Sequence, residues 1–233
     1  MGKSNLIKSR TATVINGTSK WQEQELAKSL VAVEEKLKKK FPTLKLCHFH
    51  RLYLDKVVAH LRHAFPGESF YCETDASFIT PDGGFLCLVN KDGTQFPILI
   101  SEVKNQGTND IRKSKGLSKQ AMGNAIERLG KNVIALRTYL MTEDIFPFVC
   151  FGYGCDFKKG SSILDRVTAI AMFGKLNKTY LKNQGCFNRG SFYFRQEKWG
   201  IPDMTKIMYK IAHDSIRYYL QKYGEESFTN IPK

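Results

Sequence analysis

Asp82, Glu102 and Lys104 are two carboxylates and an ammonium that the chain can bring within reach of one another. Glu102 and Lys104 stand two apart at the polar end of the run Phe96 to Val103. That run is nearly continuous apolar sequence of strand length and reads as a strand buried on both faces, since a helix of that size would show polar positions. Residues two apart in a strand point to the same side, so the carboxylate and the ammonium emerge together while Ser101 and Val103 face away. Asp82 lies upstream in a Pro-Asp-Gly-Gly turn that leads into the apolar run Phe85 to Val89. Asn90-Lys91-Asp92-Gly93 then carries a hairpin signal, and antiparallel pairing of the two runs brings the Asp82 end beside the Glu102 end.

Two converging carboxylates need a cation to relieve their repulsion, and all-oxygen ligation with room for water favours magnesium. Such an ion can hold a scissile phosphate, lower the pKa of a water and stabilise the charge that builds on the leaving oxygen. Lys104 would position or help deprotonate the attacking water and offset phosphate charge. The plainer alternative makes Asp82 a turn residue and Glu102 and Lys104 a solvated strand end, because a chain that is 25% charged produces E-x-K pairs often. The Pro-Asp turn, the hairpin and the apolar strand running straight into Glu102 favour the functional reading.

Four segments extend this reading along the chain: SFITPDGG (Ser77 to Gly84), ISEVKNQG (Ile100 to Gly107), MGNAIERLGKN (Met122 to Asn132) and FPFVCFGYGCDF (Phe146 to Phe157). A weaker likeness continues through Leu164 to Arg166 and around Lys206-Ile207-Met208. On these motifs the sequence resembles the PD-(D/E)xK nucleases, and within them the EcoRI-like type II restriction endonucleases. The resemblance implies an α/β fold, a central mixed β-sheet flanked by helices with the restriction endonuclease-like core. It implies magnesium contacts at Asp82, Glu102 and Val103, with Lys104 assisting hydrolysis to 5′-phosphate and 3′-hydroxyl ends. It also implies major-groove base reading by Gln120, Gly123, Asn124, Ala125, Glu127 and Arg128, and a base contact from Arg166.

The chemistry of that segment agrees, because asparagine pairs bidentately with adenine, arginine donates to guanine or adenine acceptors, and glycine and alanine allow close approach to base edges. Taken alone, Glu127 and Arg128 could equally be surface charges and Asn124 a cap. Family members with these residues read a central AATT, which the resemblance carries to this chain. It leaves the outer base pair open, since Gln120-Ala121-Met122 stands where the pattern has Met-Ala-Ala and Ile163 stands where family members carry a second arginine. Double-stranded DNA, a homodimer and a cognate DNA methyltransferase are the implied partners. Two other functions compete: a nuclease of repair or junction resolution, and a basic DNA-binding protein with an inert site.

The composition is compatible with all three. A chain of 233 residues suits one domain over 1–233, with residues 1–18 as a mobile phosphate-binding arm. The net charge of +14 suits a polyanionic partner. It is spread out: residues 1–65 hold 13 Lys and Arg against 5 acids, and residues 157–200 hold 9 against 2, as expected of a DNA cradle lined from several segments. No stretch approaches the roughly 20 apolar residues of a membrane span, and Met1 to Arg10 lacks an apolar signal core, so the expected location is the cytoplasm. Six cysteines without a C-x-x-C pair are expected to stay reduced. Cys47, His48, His50, His60 and His63 crowd one region, but their spacings fit no zinc module.

The helices and strands around these residues are predicted from periodicity. A helix is predicted from the capping box Ser19 to Gln22, with Leu26, Leu30, Val33, Leu37 and Phe41 on one face, ending before Pro42. A second, with Leu54, Val57, Val58, Leu61 and Phe65, is expected to pack on the same sheet face. Phe70 to Ile79 reads as a strand entering the Asp82 turn, with Glu73 on its surface. Asn105 to Lys119 reads as a basic phosphate-tracking loop. Met122, Ile126, Leu129, Val133, Leu136 and Leu140 form a helical stripe that is either buried or a dimer seam. Phe148 to Tyr153 and Ser191 to Arg195 read as strands, and Asp203 to Tyr223 as a closing amphipathic helix.

Overall fold

The computed structural model describes residues 3–105, 109, 112, 114–118, 124–157 and 191–229. Helix α1 (Lys3–Lys40) is followed by strands β1 (Lys45–Phe49) and β2 (Leu52–Tyr53), helix α2 (Leu54–Ala64) and strands β3 (Phe78–Ile79), β4 (Phe85–Val89) and β5 (Gln95–Asn105). Helix α3 (Asn124–Tyr139), strands β6 (Phe148–Tyr153) and β7 (Ser191–Arg195) and helix α4 (Ile201–Tyr223) complete the order.

Five strands form a mixed sheet in the order β1-β4-β5-β6-β7, and β2 and β3 form a separate two-stranded ribbon. The pairs β1–β4 and β4–β5 are antiparallel, whereas β5–β6 and β6–β7 are parallel. The change of direction follows from the connections. A tight turn at Asn90 to Thr94 can return β5 only antiparallel to β4, while the long excursion through α3 returns β6 parallel. β5 therefore sits at the centre, and its apolar run is buried from Pro97 to Val103. The mixed sheet flanked by helices is the α/β fold expected from the sequence.

Alternation along β4 sorts the core into two layers. Leu86 and Leu88 pack with Leu26, Val33 and Leu37 of α1 and with Met204, Met208 and Ile216 of α4. Phe85 and Cys87 face the other side, with Val57 of α2 and the stripe Ile126, Leu129, Val133, Leu136 and Leu140 of α3. Helices α1 and α2 thus lie on opposite faces, not on one face as the sequence suggested. The cause is β1, an edge strand unseen in the sequence, which carries the chain across the sheet between the two helices. The α3 stripe is buried inside the protomer, which removes Ile126 to Leu140 as a dimer seam.

Two element boundaries also differ. Helix α1 begins at Lys3 and runs through Ser19, so the capping-box pattern lies inside a continuing helix. Such a pattern stabilises a start where one occurs but does not force the preceding residues out of helix. Only Phe78 and Ile79 of the expected strand 70–79 are paired, because Glu73 to Ser77 is a run of polar and turn-forming residues with little apolar surface to bury. Among the described residues no helix is long and apolar enough to cross a membrane.

Candidate active site

The Pro-Asp-Gly-Gly turn around Asp82 is held by main-chain bonds before any side chain acts. The Gly84 amide donates to the Pro81 carbonyl at 2.9 Å, closing the turn, and the Gly83 amide donates to the Ser101 carbonyl at 2.9 Å, tying it to β5. On the β1 side, His48 Nε2 hydrogen-bonds the Gly83 carbonyl at 2.8 Å, which requires the Nε2–H tautomer. The glycines are required sterically. Gly84 has φ +66°, and an added Cβ would stand 2.6 Å from the Phe49 carbonyl oxygen. Gly93 in the hairpin has φ +83° with nothing within 4 Å of the same position. Gly93→Ala is therefore expected to cost about 1–2 kcal/mol for the left-handed backbone alone. Gly84→Ala should cost clearly more and slow cleavage, because a backbone collision adds to the same strain. Equal chemical-denaturation midpoints for the two variants would contradict this.

On that frame Asp82, Glu102 and Lys104 converge as the hairpin predicts. The Val103 amide donates to Asp82 Oδ2 at 3.0 Å, and the Asp82 amide donates to Glu102 Oε2 at 3.3 Å. Lys104 Nζ donates to Asp82 Oδ2 at 3.4 Å and bonds Glu102 Oε1 directly. Glu102 is only 2% exposed, which sets its electrostatics. Burial pushes its pKa up, Lys104 opposes that rise, and Asp82 adds to it, leaving it well above the ordinary carboxylate range. Burial pulls Lys104 the other way, but Glu102 and Asp82 outweigh it and hold the ammonium above the ordinary lysine range. Lys104 thus remains an ammonium and hydrogen-bond donor at neutral pH, suited to orienting a water and offsetting phosphate charge. Base action at Lys104 would need its carboxylate partners neutralised first.

A pocket of about 180 Å³ opens over this cluster, lined by Gln22, Glu23, Asp82, Val103, Lys104, Asn105 and Tyr153. Its acids are oxygen-only donors beside a space that admits water, a donor set that fits a hard divalent cation such as magnesium. Asp82 and Glu102 would hold it, with Val103 at the adjoining position. Gln22 and Glu23 of α1 and His48 of β1 carry no signal in the sequence near the motif, and only the fold brings them here. Glu23 has its pKa raised by burial and then by Asp82, against Lys104 and Lys20.

The residues that the resemblance marks for base reading lie on other segments of the chain. Asn124 and Ala125 open α3, and Glu127 and Arg128 in its first turns are exposed. Gln120, Gly123 and Arg166 lie outside the described residues, as does most of the Asn105 to Lys119 loop. Asn109 of that loop is buried and donates to Asp156 Oδ2 at 2.9 Å, so this position anchors the loop instead of tracking phosphate. Glu73 is exposed outside any strand and lines a different cavity, of about 390 Å³, beside Val57 and Tyr71.

Residues 9–226 match the family described as restriction endonuclease EcoRI. The chain is similar to the type II restriction enzyme RsrI of Cereibacter sphaeroides, 30% identical over 221 residues that cover 78% of this chain and 79% of that protein. It is also similar to the type II restriction enzyme EcoRI of Escherichia coli, 35% identical over 89 residues that cover 35% of this chain and 32% of that one.

Proposed function

Because the chain belongs to the EcoRI family of type II restriction endonucleases, we propose that Asp82, Glu102 and Lys104 are its catalytic residues and that it cuts double-stranded DNA with magnesium at a palindrome containing AATT. The observation that carries this reading is the convergence of Asp82, Glu102 and Lys104 on one another, with Asp82 and Lys104 lining a solvent-reachable pocket. When bound there, magnesium supplies the charge that activates water and stabilises the leaving oxygen. Lys104, as an ammonium, orients the water and neutralises the scissile phosphate. The water oxygen bonds to phosphorus and loses one proton to solvent, the bond from phosphorus to the 3′ oxygen breaks, and that oxygen takes up a proton from solvent. The products are a 5′-phosphate and a 3′-hydroxyl.

One such site cuts one strand, so a palindromic double-strand break calls for two copies related by a twofold axis. The reading includes that homodimer, acting in the cytoplasm beside a cognate DNA methyltransferase. Base reading is assigned to Gln120, Gly123, Asn124, Ala125, Glu127, Arg128 and Arg166. Asn124 reads adenine, and two symmetry-related copies serve both strands. Digestion of a random-sequence duplex library with magnesium, followed by sequencing of the ends, is expected to return fragments cut at sites centred on AATT. Cut sites lacking AATT would remove the specificity and leave the nuclease; an uncut library would remove the nuclease itself.

A further inference from the structure

Helix α1 enters the catalytic pocket with its rotation fixed. Gln22 is buried, and its side-chain amide closes on one residue from both ends. Its Nε2 donates to the Trp199 carbonyl at 3.1 Å, and its Oε1 accepts from the Trp199 amide at 3.3 Å. The Trp199 indole donates in turn to the Gly152 carbonyl of β6 at 2.9 Å. Three and seven residues after Glu23, on the same face of the helix, come Leu26 and Leu30. Both pack on the catalytic turn, since a Cβ added at Gly83 would meet Leu30 Cδ1 at 2.9 Å and Leu26 Cδ2 at 3.1 Å. Glu23 is the next residue along that face, and it lines the pocket beside Asp82 and Lys104.

The charges around the pocket do not balance. Asp82 and Glu102 already share the Lys104 ammonium, and Glu23 has no hydrogen-bond or ion-pair partner among the described residues. Among the described residues Glu23 does not group with Asp82 and Glu102 as a set of three side chains that could hold a metal together. A carboxylate lining a solvent-open pocket of about 180 Å³ beside a two-carboxylate cation site can act on the cation through water. Acceptors at that distance orient bound water and strengthen cation binding.

We propose that Glu23 is a positioning residue of the cleavage site, accepting hydrogen bonds from the water shell of the divalent cation held by Asp82 and Glu102. The inference rests on the magnesium reading of those two residues. It makes α1, remote in sequence from the catalytic motif, a part of the cation site.

The test is Mn²⁺ uptake by the full chain without DNA, followed by the loss of the free-ion electron paramagnetic resonance signal. Glu23→Gln is expected to weaken Mn²⁺ binding about 10-fold, with an unchanged thermal midpoint because the side chain is not part of the core. Asp82→Asn is expected to weaken it more. Wild-type affinity in Glu23→Gln together with a loss in Asp82→Asn would overturn the role of Glu23 alone. Wild-type affinity in both variants, or no Mn²⁺ uptake by the wild-type chain at millimolar concentration, would overturn this role and the magnesium site together.

Discussion

Lys104→Ala is expected to reduce DNA cleavage about 10²–10³-fold or more, the loss typical of removing one preorganised donor from a site where charge develops. Binding should be largely spared, because the contacts that hold DNA are spread over other segments. The geometry gives the reason: among the described residues Lys104 is the one ammonium bonded to both Asp82 and Glu102. Without it two carboxylates face each other, and Glu102 loses the partner that opposes its desolvation. A buried carboxylate left unpaired neutralises by taking up a proton. The variant then loses a donor and weakens the cation site at once.

The sign of the pH effect follows. Glu102 has a folded-state pKa raised above its unfolded value, so its contribution to stability is fully present below the unfolded pKa and is lost as pH rises through the folded one. In metal-free buffer, Lys104→Ala should therefore lose stability with rising pH more steeply than the wild type above the ordinary carboxylate range. Plasmid cleavage with magnesium and thermal melts across pH read the two effects. Near wild-type cutting by Lys104→Ala would remove the catalytic assignment.

The part of the site legible in the sequence is the part built from neighbours. Asp82 and Glu102 are joined by one hairpin, so period-two alternation and a turn signal suffice to bring them together, and the observed register pairs Phe85 with Ile100. Strand β6 was legible for a similar reason, as an uninterrupted apolar run that is buried throughout. Strand β1 was not. Its burial alternates only weakly, and in a strand of five residues the exposed Lys45 and His48 interrupt the apolar pattern that would have marked a sheet face. Missing that strand put α1 and α2 on one face. It also left His48 as one of a group of histidines and a cysteine whose spacings fit no zinc module, with no role assigned.

Glu23 and Gln22 were illegible for a different reason. Gln22 acquires its role from Trp199, 177 residues away, and no local pattern encodes that contact. The α3 stripe marks the limit of periodicity. A row of apolar residues at helical spacing predicts burial but cannot say against what, and here the sheet and α2 cover it.

The second large effect expected is on DNA affinity, which should fall about 10³–10⁵-fold between 50 and 200 mM salt if six to ten phosphates are neutralised. The net charge of +14 has two readings. Charge that only keeps a protein soluble contributes little to a specific complex, whereas charge placed against phosphates releases counterions, with a slope of about −0.9 in log K against log salt per contact. The structure bears on the choice at the end of α1. Lys38 is paired with Glu34 at 2.7 Å, but Lys36, Lys39 and Lys40 are exposed with no ion-pair partner among the described residues. Arg128 and Lys131 on α3 are exposed as well, on the helix assigned to base reading. Surface pairs such as Lys28 with Glu25 cancel locally and leave the overall excess intact. Two subunits on one palindrome would add their contacts, steepening the slope without changing the charge per chain. Fluorescence anisotropy on a labelled AATT-containing duplex measures it, with calcium replacing magnesium to support binding without turnover. A nearly flat salt response would mean that the basic excess faces water in the complex and that the DNA cradle reading of the charge is wrong.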